Sequence, residues 1–334
     1  MKKIDDGTVI MRTARNISVG DLYVDQNNNL FAVTEVAGDT AWARFLRNIE
    51  LSSSFHQTGV TDISLLQVQA GNEANKDDNK IVIYHTHGAE SYVPSDGTES
   101  RLEGGGILDV GKSFENALRD KPFEPIRSNE THVPHDANAY QRSRRTAEEL
   151  LKENPIALFD IHRDAVPAEE YTETVEGKPT VQIQFVVGRQ NQNMAANQSF
   201  AESLEKTADD IYPGLIKGIF MANGSYNQDL QPSSLLLEVG SHENTKEGAQ
   251  KAISLFADVV ESYYFGAEAP RDSEGLRSVA LRSVLWLVVV ALVAVGIFML
   301  LSTGSREEFM YKIRNFFRKD LSVLGNKNKD GDDK

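Results

Sequence analysis

The sequence predicts an α/β protein in which helices cover both faces of a mostly parallel sheet. Three short apolar runs, residues 81–85, 157–161 and 234–238, are predicted strands, and each ends at or beside a residue that can bind or serve a metal. Segments with helical periodicity alternate with these runs, which is typical of a parallel sheet between helices. Because such folds form their sites beyond the carboxyl ends of strands, we expect one site assembled from distant parts of the chain.

Length and composition narrow the classes of protein that this chain can belong to. Its 334 residues predict two domains, or one domain with appendages, and a hydrophobic content of 40% allows a sizeable core. A net charge of −14 argues against nucleic-acid binding, which requires a basic surface. The chain has no cysteine, so disulfides are excluded and a zinc site must use histidines and carboxylates.

Residues 1–48 are predicted to form a small antiparallel β unit. Apolar and polar residues alternate in four short runs, and turn-forming residues separate these runs: 8–12, 21–24, 30–34 and 40–45. This unit contains no evident catalytic set. Residues 49–79 are polar and poorly periodic, which favours a linker.

Residues 80–266 are predicted to be the catalytic domain. Besides the three apolar runs, a strand is expected at 181–187, and helices are expected near 110–119, 138–153, 194–209 and 244–263. Asn244 with Glu247 three positions later has the pattern of a capping box, which marks the start of the last helix.

The segment 284–301 is uncharged and long enough to span the ~30 Å core of a bilayer. We expect a linker at 267–283 before this transmembrane helix and a basic amphipathic or disordered tail at 302–334 after it. More basic residues follow the span than precede it, which favours an extracytoplasmic catalytic domain on a single-pass membrane protein. No signal-like apolar stretch occurs in residues 1–30, so the export signal is not visible, and a domain that stays inside is the alternative.

The predicted site combines three metal ligands with one catalytic carboxylate. His87 and Glu90 have His-x-x-Glu spacing after the first strand, and His162 follows the second. Three such ligands leave the fourth corner of a zinc site for water. Glu238, at the end of the third strand, is the predicted proton shuttle. His85 is the alternative ligand to His87, and only one of the two is expected to reach the metal.

Other polar residues near the strand ends are predicted to support the site. Asp160 and Asp164 flank His162, where a carboxylate can orient a ligating imidazole. Arg163 or Arg189 could bind a substrate carboxylate in a bidentate manner, or belong to a surface ion pair. His135 is a further candidate for substrate binding.

In the segments 83–92, 160–164, 226–230 and 236–241, the chain resembles the stage II sporulation protein P family of cell-wall hydrolases from endospore formers. The resemblance implies a zinc N-acetylmuramoyl-L-alanine amidase with a fold like that of zinc carboxypeptidases. It also implies engulfment of the forespore as the role, peptide crosslinks as a second substrate, and stage II sporulation proteins D and M as partners. In related amidases the carboxylate ligand comes from a downstream helix, where this chain offers Asp109 or Glu103.

Two other functions are compatible with these patterns. A zinc carboxypeptidase or endopeptidase would use the same metal chemistry on peptides, and its products would distinguish it from an amidase. A non-catalytic scaffold that binds the cell wall would contain neither zinc nor activity.

Overall fold

A ten-stranded sheet dominates the computed structural model, which describes residues 1–51, 76–136 and 138–266. Its strands are β1 (Lys2–Lys3), β2 (Leu22–Asp25), β3 (Asn29–Ala37), β4 (Thr40–Asn48), β5 (Lys80–Tyr84), β6 (Glu124–Arg127), β7 (Ala157–Asp164), β10 (Ile183–Gly188), β11 (Ile216–Ala222) and β12 (Ser234–Ser241). β8 (Thr172–Val175) and β9 (Lys178–Val181) form a separate antiparallel pair. The helices are α1 (Val93–Asp96), α2 (Ile107–Arg119), α3 (Ala139–Leu150), α4 (Met194–Ile211) and α5 (Lys246–Phe265).

The order of strands across the sheet is β1-β4-β3-β2-β11-β10-β12-β7-β5-β6. β12, β7, β5 and β6 are successive parallel neighbours, and β10 is antiparallel to β12 but parallel to β11. The predicted α/β class with a mostly parallel sheet is therefore confirmed. The carboxyl ends of β5, β7 and β12 meet at one edge, because these strands are adjacent and parallel.

Helices cover both faces of the parallel part of the sheet. On β5, Ile81 and Ile83 belong to a core cluster that includes residues of α2, α4 and α5. Val82 and Tyr84 lie on the opposite face and contact a cluster that includes Ala147 of α3. Since each buried apolar side chain contributes about 1.5–3 kcal/mol, an uninterrupted apolar run such as β5 is stable only between two layers.

The strands of the predicted N-terminal β unit are continuous with the main sheet. β2, β3 and β4 are antiparallel, but β2 also pairs with β11, a strand that the sequence analysis did not predict. Residues 8–12 contribute only an isolated bridge between Lys2 and Val9 instead of a strand. Met1 and Met11 are buried in a second core cluster with residues of β10, β11 and β12. The N-terminal segment is thus packed against the same sheet that supports the predicted site.

The start of α5 differs by one residue from the predicted capping box. Thr245 is the N-cap, and its hydroxyl accepts a hydrogen bond from the Gly248 amide at 3.1 Å. Asn244 instead accepts a hydrogen bond from the amide of Ser241 at the end of β12.

Within the described ranges, no helix is both long and apolar enough to cross a membrane. The predicted linker at 267–283, transmembrane helix at 284–301 and tail at 302–334 lie outside the described residues, as does most of the predicted linker at 49–79. The predicted domain boundaries stay predictions.

Candidate metal centre and active site

His87, Glu90 and His162 form a cluster whose ligand atoms all lie within 4.8 Å of one another. Nδ1 of His87 is 3.4 Å from one carboxylate oxygen of Glu90, and Nδ1 of His162 is 3.6 Å from the other. Two imidazoles and a carboxylate at this separation could hold a metal ion. The three residues that the sequence analysis selected as ligands are therefore brought together.

A tight turn after β5 places His87 and Glu90 beside β7. The amide of Glu90 donates to the carbonyl of His87, and the amide of Ile107 at the start of α2 donates to the carbonyl of Glu90. The backbone at Gly105 lies so close to the backbone of Glu90 that a Cβ at Gly105 would be 1.9 Å from the Glu90 carbonyl oxygen. Only glycine fits at this point, so Gly105 fixes the position of the Glu90 backbone against α2.

The charges in the cluster favour a bound cation. Burial alone would lower the pKa of His162 and raise the pKa of Glu90. The charges outweigh burial in both cases: Asp160 and Glu90 raise the pKa of His162 to about 10, and His162 holds the pKa of Glu90 well below its usual value. Two carboxylates around one buried imidazole thus need a positive charge, which either a proton or a metal can provide. Both ring nitrogens of His162 are buried without a hydrogen-bond partner among the described residues, and Nδ1 is the one that faces Glu90. The unpartnered nitrogen Nδ1 and the surplus of negative charge around it are both consistent with His162 as a metal ligand.

The carboxylate of Asp160 lies behind His162 and is itself held by a hydrogen-bond network. Nε2 of His162 lies 3.0 Å from Oδ1 of Asp160, so the nitrogen opposite the cluster faces a carboxylate. Asp160 accepts hydrogen bonds from the amide and the hydroxyl of Thr86 at 2.8 and 2.7 Å. The Thr86 hydroxyl also contacts the Ser143 hydroxyl at 2.8 Å, and the Asn227 amide donates to Ser143 at 3.1 Å. Asp160 therefore has the supporting position that was predicted for it.

Glu238 lies beside this cluster on the neighbouring strand. It is the register partner of His162, with β12 and β7 running parallel. One carboxylate oxygen of Glu238, Oε1, accepts a hydrogen bond from the guanidinium of Arg15. The other oxygen, Oε2, is buried and has no partner in the described part of the chain. Burial raises the pKa of Glu238 although Arg15 opposes the shift. A carboxylate with one oxygen held and one free is suited to proton transfer.

Three alternative ligands lie away from the cluster. His85 is completely buried on the other face of the sheet, where Nδ1 contacts the Ile161 carbonyl at 3.0 Å and the ring lies against Gly111 of α2. β5 ends at Tyr84 and the chain turns over residues 86–89, and this turn carries His87 to the cluster while His85 continues the face of Ile81 and Ile83. Asp109 forms an ion pair with Lys246 at 2.8 Å, and Glu103 is exposed.

The two arginines proposed for substrate binding have other partners in the structure. The guanidinium of Arg163 donates to the backbone carbonyls of Ser91 and Glu99 at 3.1 and 2.7 Å. Its backbone amide donates to Glu90 at 3.0 Å, so this residue supports a ligand instead. The guanidinium of Arg189 is paired with Asp21 at 2.7 Å, which matches the ion-pair alternative.

Of the predicted substrate-binding residues, His135 lies next to the cluster. Its exposed ring stacks on the ring of His87 with centroids 3.8 Å apart. The ring of Tyr140, from the first turn of α3, lies 5.5 Å from His87 and 6.3 Å from His162. These two rings border the cluster on the side of α3. Tyr140 was not predicted as a residue of the site, although it lies in the first turn of the helix predicted near 138–153.

Arg15 is the residue of this site that the sequence analysis missed entirely. It comes from the N-terminal segment before β2, and besides Glu238 it contacts the Tyr140 hydroxyl at 3.4 Å. Its guanidinium carbon lies 5.4 Å from the ring centroid of Tyr226. No feature of the surrounding sequence marks Arg15 as different from the other arginines of the chain. Tyr226 does fall within one of the segments that carried the family resemblance.

Comparison with known proteins supports the family that the sequence resemblance indicated. The family model described as Stage II sporulation protein P (SpoIIP) matches residues 31–261. Stage II sporulation protein P of Bacillus subtilis (strain 168) is 33% identical over 247 residues, which is 66% of this chain. The alignment spans 61% of the length of that relative.

Several solved amidase structures show a low overall similarity to this chain. An N-acetylmuramoyl-L-alanine amidase from Clostridium difficile 630 has 14% identity and a TM-score of 0.38, covering 56% of this chain and 97% of that chain. The CwlD amidase from Clostridioides difficile, in complex with the GerS lipoprotein, has 16% identity and a TM-score of 0.34, covering 56% of this chain and 99% of that chain. From the extent of the family match, this chain belongs to the stage II sporulation protein P family.

Proposed function

We propose that this chain is a zinc-dependent peptidoglycan hydrolase that cleaves the amide between N-acetylmuramic acid and L-alanine during engulfment in sporulation. The observation that carries the proposal is the grouping of His87, Glu90 and His162 beside Glu238. Membership of the stage II sporulation protein P family supports the sporulation setting.

Zinc is the metal that this donor set favours. Two imidazoles and one carboxylate are typical of catalytic zinc sites, in which a fourth position stays open. The chain has no cysteine to offer a softer set of ligands. When bound, zinc supplies Lewis acidity toward the scissile carbonyl and toward the attacking water.

The protein's own residues then divide the work of amide hydrolysis. The free Oε2 of Glu238 takes a proton from water as its oxygen forms a bond to the carbonyl carbon. The carbon–nitrogen bond breaks, and Glu238 returns that proton to the departing amine of L-alanine. The products are the lactyl carboxylate on the glycan and a stem peptide whose amino terminus, now an ammonium group, has also taken up the second proton of the water. Asp160 keeps the imidazole of His162 oriented throughout.

The proposal extends to the location and partners of the protein. The segment 284–301 would anchor the chain in the cell membrane with the catalytic domain on the extracytoplasmic side, where peptidoglycan lies. Stage II sporulation proteins D and M are the partners that the family resemblance implies. Cleavage of peptide crosslinks is a second activity that the same metal chemistry would allow.

The test is product analysis on purified peptidoglycan. The full chain, loaded with zinc, is incubated with the wall, with and without a chelator, and released material is identified by mass spectrometry. We expect chelator-sensitive release of whole stem peptides from intact glycan strands, restored by adding zinc. Release of crosslink fragments alone would assign a peptidase instead. No product from a folded, zinc-loaded chain would overturn the proposed hydrolase.

A further inference from the structure

The segment before β2 crosses the edge of the sheet at which the candidate site lies. The backbone amide of Ala14 donates to Oδ1 of Asp164, the last residue of β7, at 2.9 Å. One residue later, Arg15 reaches Glu238 on β12. The matched family region begins only at residue 31, so this segment lies outside it.

The segment is anchored on both sides of Arg15. Before it, Met1 and Met11 are buried, and the amino group of Met1 donates to the Met11 carbonyl at 2.7 Å. After it, the amide of Ser18 donates to Asp21, a completely buried carboxylate at the start of β2, at 2.7 Å. Arg15 is therefore held by the core of the protein and is a fixed part of the site.

The contacts of Arg15 determine the orientation of Glu238. The guanidinium donates through Nε to Oε1 of Glu238, while Nη1 contacts Tyr140 at 3.4 Å and the planar group lies over Tyr226. Its side chain is only 16% exposed. With Oε1 held in this way, Oε2 is the oxygen left without a partner among the described residues. A charge-assisted hydrogen bond of this kind fixes direction as well as position.

We propose that Arg15 is the positioning residue for Glu238, supplied by an N-terminal segment outside the matched family region. This inference rests on the proposed function, because it assigns to Arg15 the task of presenting the free oxygen of the proton shuttle. Arg15 acts through Glu238. Its removal is expected to impair the chemical step much more than substrate binding or metal binding.

The experiment compares Arg15→Ala with Arg12→Ala in the full chain loaded with zinc. Arg12 is a matched control, because it lies in the same segment but is 55% exposed and pairs with Glu170. For Arg15→Ala we expect kcat on peptidoglycan to fall about 100-fold with little change in KM. We expect zinc content to stay close to that of the wild type, while Tm falls because the buried carboxylate of Glu238 loses its partner. Arg12→Ala should keep wild-type kinetics.

Chemical rescue distinguishes positioning from a merely structural role. Guanidinium ion added to Arg15→Ala should restore part of kcat, whereas an equal concentration of sodium chloride should not. Arg12→Ala should respond to neither salt. An unchanged or raised kcat in Arg15→Ala would overturn the proposal, and a raised value would show that Arg15 obstructs the site. A loss of kcat that guanidinium does not restore would also overturn it.

Crystal structures of the wild type and Arg15→Ala test the same inference without activity. We expect the carboxylate of Glu238 to leave its position when Arg15 is removed, and an unmoved carboxylate would contradict the proposal. If the wild-type chain cleaves no peptidoglycan, the proposed function fails, while the position of Glu238 in these two structures still decides the role of Arg15.

Discussion

Glu238 and His162 are register partners on neighbouring parallel strands, so the predicted proton shuttle and a predicted metal ligand extend from the same edge of the sheet. A shared register fixes their separation through the backbone, which is more rigid than a loop.

Replacing Glu238 by glutamine should abolish proton transfer while leaving the metal bound. Glutamine has nearly the same shape but no basic oxygen, so kcat on peptidoglycan should fall by about 10²- to 10⁴-fold. Zinc content, measured by mass spectrometry of the native protein, should be that of the wild type. Glu149→Gln is the control, because Glu149 lies on an exposed part of α3 and pairs with Lys152. Full activity of Glu238→Gln would eliminate the proposed mechanism.

His87 and His85 should give opposite results when each is replaced by alanine. His87→Ala removes a ligand, so zinc affinity should fall sharply while the apo protein keeps its stability. His85→Ala leaves a cavity against α2 and removes a buried hydrogen bond, which should lower the free energy of unfolding by about 2–4 kcal/mol. Zinc titration and denaturant unfolding of both variants measure the contrast. Loss of zinc in His85→Ala alone would reverse the assignment of the ligand.

Asp160→Asn should weaken metal binding without removing a ligand. Asp160 faces Nε2 of His162, and the amide cannot supply the same negative charge, so zinc affinity should fall about 10- to 100-fold. Competition with a chromophoric chelator would measure this change. Asp258→Asn is a suitable comparison, because Asp258 lies on α5 and pairs with Lys121. Equal affinities in the two variants would show that Asp160 does not orient the ligand.

Lys217→Met should stabilise the protein at neutral pH. Lys217 is buried on β11 with its amine 4.0 Å from the ring centroid of Tyr171, and burial lowers its pKa from 10.5 to about 8. Below pH 8 both folded and unfolded states carry the charge, and the folded state bears the full cost of burying it. Between pH 8 and 10.5 the folded state releases its proton first, so that cost diminishes as the pH rises.

The gain from Lys217→Met should therefore be about 3 kcal/mol at pH 7 and smaller at pH 10. Urea unfolding of wild type and variant at the two pH values measures this difference. A gain that is the same at both pH values would show that the charge of Lys217 has no part in it.

The strands that support the site could be predicted from the sequence, because burial on both faces gives all three an apolar pattern. β5, β7 and β12 are buried on both faces, so their residues before the functional side chains are almost all apolar. β11 was missed because Lys217 and Gly218 interrupt its apolar run. Gly218 lies where a Cβ would be 2.3 Å from the carbonyl oxygen of Val24, so pairing with β2 requires the residue that weakens the pattern.

Two other features could not be predicted from local patterns. The antiparallel direction of β10 beside β12 leaves no trace in the sequence, because a buried strand has the same composition in either direction. The contact between Arg15 and Glu238 joins residues that are 223 positions apart. It depends on how the N-terminal segment crosses the sheet edge, which no pattern within that segment describes.

Because β2 pairs with β11, the sheet can form completely only late in the synthesis of the chain. In a chain growing on the ribosome, Arg15 and β2 are synthesised about two hundred residues before their partners on β11 and β12. An incomplete chain that ends before residue 234 has both histidines of the cluster but lacks Glu238. The proposed catalytic set is thus complete only after β12 has been synthesised, and fragments that end earlier would lack the proposed proton shuttle.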